Sequence, residues 1–118
     1  MNRPHKKLDV WKAAMDLVIE VYRLTEKFPK EERFGLTVQV RKAVVSIPSN
    51  IAEGASRNTK KEFVNFLYIA QGSLSELDAQ LEIAYRLGYI GEEDFAGLDQ
   101  NMDRIGRMLT GLIHHQKE

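Results

Sequence analysis

The chain has 118 residues, 17 basic against 17 acidic side chains and no cysteine, so we expect one domain and exclude disulfides and thiolate metal sites. No apolar run approaches the roughly 20 residues that a bilayer span requires, and no signal peptide is evident, so we expect a cytoplasmic protein without a membrane partner. Residues 1–61 hold 13 basic and 7 acidic side chains and residues 62–118 hold 4 and 10, an asymmetry that fits either a basic surface for phosphate-rich partners or two halves that neutralise each other.

The first predicted helix covers about residues 8–27. Its apolar residues alternate steps of four and three, the spacing of a helix-bundle seam: Val10, Ala14, Leu17, Val21, Leu24 and Phe28. Pro29 ends this helix, because the residue before a proline is disfavoured in the helical conformation. A charged connector with room for one helical turn follows, from Lys30 to Gly35.

The second predicted helix covers about residues 36–55, with an apolar line of Val40, Val44, Ile47 and Ile51. Pro48 lacks an N–H and crowds the carbonyl of Val44, so we expect either a kink or relief by nearby serine hydroxyls. Four polar side chains share one face by their i, i+3, i+4, i+7 spacing: Ser46, Ser49, Asn50 and Glu53. We expect this face to form a hydrogen-bonded network or interface, with contact to a partner protein or nucleic acid as the alternative. A buried Glu53 would need Arg41 or Arg57 as its partner.

The third predicted helix covers about residues 60–87, opened by a capping box of Thr59 and Glu62 and stopped by Gly88. Its seam is Phe63, Leu67, Ala70, Leu74, Leu77, Leu81 and Ala84. The fourth, about residues 92–114, begins with acidic residues that suit the helix dipole, and its seam is Phe95, Leu98, Met102, Ile105, Leu109 and Leu112. Four helices with short connectors predict an all-α, up-down-up-down antiparallel four-helix bundle, a single domain over residues 1–118.

Apolar and small residues also lie outside these seams, where a lone bundle would expose them to water. The candidates for a surface between copies are Trp11, Ile19, Tyr22, Ile69, Gly72, Ala79 and Ile83. Because a contiguous exposed apolar patch usually marks an interface, we expect a homo-oligomer. The alternative is an irregular bundle that buries wide helix faces by itself.

Catalytic chemistry finds no support in the chain. The histidines, His5, His114 and His115, fall in terminal segments, so no serine has an evident base. No glutamate precedes a histidine by three residues, as the metal sites of helix bundles require, and the glycine motifs that cradle phosphates are absent. We therefore expect no enzymatic activity, no metal and no cofactor.

Basic residues give a candidate nucleic-acid contact, because the N-terminal segment and the turn between the second and third helices fall at one end of the predicted bundle. They are Arg3, Lys6, Lys7, Lys12, Arg41, Lys42, Arg57, Lys60 and Lys61. Aromatic residues do not interleave with them in the sequence, so we expect phosphate contact with RNA or DNA rather than base stacking. The alternative is a solvated rim that binds nothing.

Three stretches of the chain carry a family resemblance. They are Phe34-Gly35-Leu36, Ser46-Ile47-Pro48-Ser49-Asn50-Ile51-Ala52-Glu53-Gly54 and Ala70-Gln71-Gly72-Ser73-Leu74-Ser75-Glu76-Leu77, supported by Leu8, Trp11, Phe28-Pro29 and Leu87-Gly88-Tyr89-Ile90. Over about residues 8–113 the chain resembles the four-helix bundle proteins encoded in intervening sequences of bacterial 23S ribosomal RNA genes.

This resemblance implies a small bundle that assembles as a homopentamer and has no catalytic residues. It also implies kinship with the accessory variability protein of diversity-generating retroelements, a basic pentameric barrel that contacts a reverse transcriptase and binds nucleic acid. The present chain differs from that relative in its zero net charge. The function we favour is a non-enzymatic homo-oligomeric scaffold with weak RNA or DNA contact through a basic rim. The alternative is a protein-interaction adaptor, for example an accessory subunit of a larger enzyme, without nucleic-acid binding.

Overall fold

The computed structural model describes all 118 residues and is all-α, as predicted, with no strand. Its helices are α1 (Asp9–Thr25), α2 (Leu36–Ala55), α3 (Lys60–Arg86) and α4 (Glu92–Lys117), with short 3-10 helices at Pro4–Lys7 and Lys30–Glu32. None of these helices combines the length and the apolar composition that crossing a membrane demands. The Pro4–Lys7 helix was not foreseen, although proline suits the first position of a helix because that position has no intrahelical use for an N–H.

Two helix ends differ from the predicted spans. α1 ends at Thr25 rather than near residue 27, because the N–H groups after Glu26 bond three residues back: Lys27 donates to Leu24 and Phe28 to Thr25. α4 continues to Lys117 rather than ending near residue 114. Its last turn is held in place by buried Ile113 and by Lys117, whose Nζ donates to the Tyr68 hydroxyl at 2.9 Å.

One apolar core runs between the four helices, and each helix contributes the side chains that its seam predicted. The whole line of α2 and most of the other seams are buried, while Leu24, Phe63, Phe95 and Leu112 are partly exposed at the edge of the core. The buried residues of each helix are spaced three and four apart, which confirms the seam predictions. The molecule measures 44 × 25 × 19 Å along its principal axes, so the core is a long, thin column.

Contacts between neighbouring helices fix how they lie side by side. Tyr85 stacks on Phe95 with ring centres 4.3 Å apart, and towards the other end Gln71 donates to Thr110 at 3.1 Å. From the first of these pairs to the second, the residue number rises on α4 and falls on α3, so these two helices run in opposite directions. α1 contacts α2 and α4 but not α3, which leaves α3 at the far side of the core.

The predicted signals at the ends of α3 are confirmed. The N–H of Glu62 donates to the Thr59 hydroxyl at 3.1 Å. Gly88 follows the helix with φ +82°, a conformation that glycine adopts without steric cost. In this conformation the Tyr89 N–H reaches back to the Ala84 carbonyl at 2.9 Å, the bond that closes a helix C-terminus.

Glu32 links the connectors at the end of the bundle where α1 and α3 finish. One carboxylate oxygen accepts the N–H of Leu36 at 3.1 Å and so caps α2, while the other accepts the Tyr89 hydroxyl at 3.0 Å. This hydrogen bond to the carboxylate raises the pKa of Tyr89 above its ordinary value of 10.0. Gly35 leaves room for the carboxylate, because a Cβ there would lie 2.9 Å from Glu32 Oε1.

α2 and α3 approach closely at Gly54. A Cβ on this glycine would lie 2.7 Å from Cβ of Phe66 and 3.0 Å from the Phe63 ring. Real Cβ atoms do not approach carbon that closely, so any larger residue would force the two helices apart. Glycine at this position therefore sets the distance between α2 and α3.

The Gly54→Ala substitution is expected to lower the free energy of unfolding by about 1–2 kcal/mol, because overpacking outweighs the better helix propensity of alanine. Urea unfolding at one fixed protein concentration measures the change. Gly97→Ala is the matched control, since a Cβ there has no neighbour within 4 Å and should stabilise α4 by about 0.5–1 kcal/mol. Equal effects of the two substitutions would contradict the close approach at Gly54.

Candidate nucleic-acid and assembly surfaces

A polar network joins α2 to α3, but it contains only part of the predicted polar face. The Ser46 and Ser73 hydroxyls lie 2.8 Å apart. Asn50 Nδ2 donates to the Ser46 carbonyl at 2.8 Å and to its hydroxyl at 2.9 Å. All three side chains are partly buried. Ser73 was not among the predicted members, because its helix could not be placed beside Ser46 from sequence spacing.

Ser49 and Glu53 lie outside this network and are exposed. Successive helical residues turn by about 100°, so Ser49 points away from the side of α2 that carries Asn50. The Glu53 carboxylate lies 3.8 Å from the Arg57 guanidinium, with both side chains about half exposed. Such exposed pairs contribute little to stability.

Pro48 lies buried within α2, which continues through it as one helix from Leu36 to Ala55. The Ser46 hydroxyl, one of the groups expected to relieve the broken backbone bond, contacts Ser73 and Asn50 instead. Its role is therefore the contact with α3 rather than repair of the α2 ladder.

None of the three histidines hydrogen-bonds to these serines, whose partners are each other and Asn50. His5 packs edge-on against Trp11 with ring centres 5.0 Å apart, and His114 and His115 lie exposed in the last turns of α4. No group of three or more His, Asp or Glu side chains is close enough to hold a metal ion.

A depression of about 440 Å³ lies where α3 begins and α4 ends. Its polar lining comes from Lys60, Lys61, Asn65, Tyr68, Gln116 and Lys117. We call it the lysine depression. Lys60 and Lys61 were predicted as nucleic-acid contacts, whereas Lys117 and Tyr68 were missed, because they are 49 residues apart in the chain. The structure thus places the Tyr68 ring among the lysines, where the sequence showed no aromatic residue interleaved with them.

The other basic residues near this end stand apart from the lysine depression. Arg57 lies over the Phe66 ring, 4.8 Å from its centre. Lys6 and Lys7 are exposed on the Pro4–Lys7 helix, which contacts α1 and α2. Arg3 and Lys12 are exposed next to that segment.

Arg41 and Lys42 lie far from this end, about 21 Å before the last residue of α2 at 1.5 Å per residue. Arg41 links α1 to α2: its Nε donates to the Thr25 hydroxyl at 2.9 Å, and its guanidinium lies 4.5 Å from the centre of the Tyr22 ring. The predicted basic residues therefore do not all share one rim, and Arg41 is held by contacts within the chain.

Most of the predicted apolar surface faces solvent in the single chain. Ile69 and Ile83 are each 50% exposed and Ile19 is 49% exposed. Tyr22, Gly72 and Ala79 are also exposed. Trp11 differs, because it is partly buried and packs against the core, so we leave it out of the exposed surface. Phe34 in the α1–α2 connector is 87% exposed and was not predicted as a surface residue.

The family model described as "23S rRNA-intervening sequence protein" matches residues 6–111. The chain belongs to this family. The resemblance found in the sequence is thereby confirmed. No curated protein matches the chain.

The fold of this intervening-sequence protein is similar to a solved structure from Bacteroides thetaiotaomicron, a protein of unknown function from the S23 ribosomal protein family. The TM-score is 0.82 at 24% sequence identity, with 89% of this chain and 95% of the other covered. At this identity the likeness establishes the shared four-helix fold and nothing about activity.

Two of the stretches that carry the family resemblance face each other in the structure. Ser46 begins the α2 stretch and contacts Ser73 in the α3 stretch, while Gly54 ends the α2 stretch at the close approach to Phe66. In this member of the intervening-sequence family, the motif residues therefore have a physical role in joining α2 to α3.

A double-mutant cycle of Ser46→Ala and Ser73→Ala is expected to give a coupling energy of about 0.5–1.5 kcal/mol in urea unfolding, the net strength of one hydrogen bond. Ser49→Ala is the control on the same helix, and it should change stability by less than about 0.5 kcal/mol because its side chain is exposed. A coupling energy of zero would show that the hydroxyl contact does not form.

Proposed function

We propose that this protein is a non-enzymatic, cytoplasmic scaffold that assembles into a homo-oligomer, most simply the homopentamer implied by the family resemblance, and contacts RNA or DNA weakly through its basic end. The observation that carries the assembly is the stripe of apolar and small residues on the solvent side of α3. We call it the α3 stripe and define it as Ile69, Gly72, Ala79 and Ile83. In a single chain, two isoleucines on one helix face are exposed to water at a cost in free energy, whereas a second copy can cover both.

The internal arrangement we propose for each copy is the up-down-up-down antiparallel bundle. Pairs of contacting residues support it. Ser46 meets Ser73, and Gly54 meets Phe66, so numbers rise on α2 as they fall on α3. Asn101 donates to Glu20 at 2.8 Å between α4 and α1, which closes the ring of neighbouring helices.

The dimensions of the α3 stripe suit a helix–helix contact. Its ends are about 21 Å apart along the axis at 1.5 Å per residue. Gly72 and Ala79 lie between the two isoleucines and carry little or no side chain, so a neighbouring helix can approach closely while the isoleucines pack on either side of it. A Cβ at Gly72 would have no neighbour within 4 Å in the single chain.

The nucleic-acid contact is supported by the charges at the start of α3. Arg57, Lys60 and Lys61 are exposed there, and the positive end of the helix dipole lies at the same place. Copies of the chain in an oligomer would repeat these charges, which raises the local attraction for a polyanion. The zero net charge of the chain keeps the expected contact weak.

The contacts of the Ser46 and Ser73 hydroxyls support the proposal that the protein is not an enzyme. Ser46 and Ser73 use their hydroxyls on each other. A serine nucleophile needs an adjacent base, and the polar groups that contact the Ser46 hydroxyl are the Ser73 hydroxyl and the neutral amide of Asn50.

The double substitution Ile69→Glu with Ile83→Glu is expected to dissociate the oligomer, because each copy would place two carboxylates in an apolar contact. Light scattering should show the mass falling from a multiple of the chain mass towards 13.5 kDa. Gln39→Glu with Gln100→Glu, at exposed sites on α2 and α4, adds the same two negative charges away from the α3 stripe and should leave the mass unchanged. Retention of the wild-type mass by the double variant would contradict assembly through the α3 stripe.

Removal of the three charges of Arg57, Lys60 and Lys61 by alanine is expected to weaken binding to structured RNA at low salt. The slope of log K against log salt should become shallower by about 2 to 3, since each lost phosphate contact retains up to one more counterion on the RNA. The control removes three charges from the opposite end: Lys27, Lys30 and Arg33 to alanine. Equal binding by both triple variants would contradict a contact localised at the start of α3.

A second candidate, the protein-interaction adaptor, is favoured by one observation. Phe34 exposes 87% of its surface in the α1–α2 connector, and an exposed aromatic side chain is a common anchor in protein interfaces. No measurable binding of the wild-type chain to RNA or DNA at low salt would favour the adaptor over the nucleic-acid contact.

A further inference from the structure

The lysine depression gathers positive charge without an acidic side chain in its lining. Lys60, Lys61 and Lys117 all line it, and none of its lining residues is acidic. None of these lysines takes part in an ion pair, whereas Arg57, Arg86 and Arg107 are each paired with a carboxylate one helical turn away. Three ammonium groups that share a concave surface repel each other, and an anion bound among them relieves that repulsion.

Tyr68 gives the lysine depression a second feature that a simple anion does not need. Its side chain is 46% exposed. Lys117 Nζ lies 2.9 Å from the Tyr68 hydroxyl but 5.3 Å from the ring centre. The ammonium therefore sits beyond the hydroxyl end of the ring and does not cover either face. An accessible aromatic face beside unpaired cations is the combination that binds a planar base attached to a phosphate.

The remaining lining and the size agree with this ligand. Asn65 and Gln116 line the depression, and each amide offers both a donor and an acceptor, as hydrogen bonding to a base edge requires. The volume of about 440 Å³ lies towards the small end of the range of about 300–1,000 Å³ found for ligand pockets. It suits one nucleotide rather than a stretch of duplex.

We propose that the lysine depression binds one unpaired nucleotide of a single-stranded nucleic acid, with the base stacked on Tyr68 and the flanking phosphates on Lys60, Lys61 and Lys117. The proposal rests on the proposed nucleic-acid contact and narrows it to unpaired strands. In a duplex both faces of every internal base are covered by its neighbours, so Tyr68 has no face to stack on. Phosphate contact alone would not distinguish the two forms.

The test uses the full chain and a 12-nucleotide oligopyrimidine with one central 2-aminopurine, uridylate as RNA and thymidylate as DNA, each alone and annealed to its complement. Fluorescence anisotropy at low salt measures affinity, and quenching of 2-aminopurine reports stacking. The single strands should bind more tightly than the duplexes. Quenching on binding of either single strand supports the proposal. The strand that binds with the higher affinity, RNA or DNA, identifies the polynucleotide class that the depression prefers.

Tyr68→Ala should weaken single-strand binding about 5- to 150-fold, the usual effect of removing one stacking partner, and abolish the quenching. It should leave the salt dependence unchanged, because no charge is lost. Tyr68→Phe keeps the ring and should bind within about two-fold of wild type. Lys117→Ala should make the slope of log K against log salt shallower by about 0.7, the value for one phosphate of a single strand.

Phe34→Ala is the matched control, since it removes an even more exposed aromatic ring outside the depression and should change nothing. Wild-type affinity of Tyr68→Ala, or tighter binding of the duplex, would overturn the proposal. If that happens while removal of Arg57, Lys60 and Lys61 abolishes binding, the broader nucleic-acid contact is still supported. Absence of binding by the wild-type chain at low salt would overturn both.

Discussion

The contact between α2 and α3 is the constraint on which the rest of the structure depends. Gly54 admits Phe66 and Phe63 at distances that no other residue would allow, and Ser46 meets Ser73 about two turns away. The glycine fixes the separation of the helices, and the hydroxyl pair favours one register, because a one-residue slide would separate the Ser46 and Ser73 hydroxyls. The buried leucines and isoleucines are less selective, since apolar side chains tolerate several packings.

Fixing α3 against α2 also determines which side of α3 remains outside. Once Ser73 and Ala70 face α2 and the core, Ile69, Gly72, Ala79 and Ile83 must face solvent, because the helical repeat leaves no freedom. The exposed α3 stripe is thus a direct consequence of the family motif. In the same way, the start of α3 is held beside the end of α4, and Lys117 reaches Tyr68.

The sequence predicted the elements of the fold well because helix periodicity, caps and proline signals are local. Thr59, Gly88 and the seam of α2 behave as their neighbours in the chain dictate. It failed where two distant segments meet. Glu32 bonds Tyr89 across 57 residues, and Lys117 bonds Tyr68 across 49, and neither pairing has a spacing signal. For the same reason Ser73 was missed, and the network of Ser46 leaves out Ser49. The spacing of residues on one helix does not say which side of their shared face the next helix covers.

The charge asymmetry of the chain takes a specific form in the structure. Along their length, α3 and α4 carry more acidic than basic side chains. Where α3 begins and α4 ends, the charge is instead positive, and it comes from lysines without carboxylate partners. An unpaired cluster beside the α3 stripe has a further consequence in the proposed oligomer. Each copy would present its lysine depression at a fixed distance from the next, and a single strand that occupied one would meet the others at high effective concentration. Weak contact at one site and firm retention by the assembly are then compatible in a chain of zero net charge.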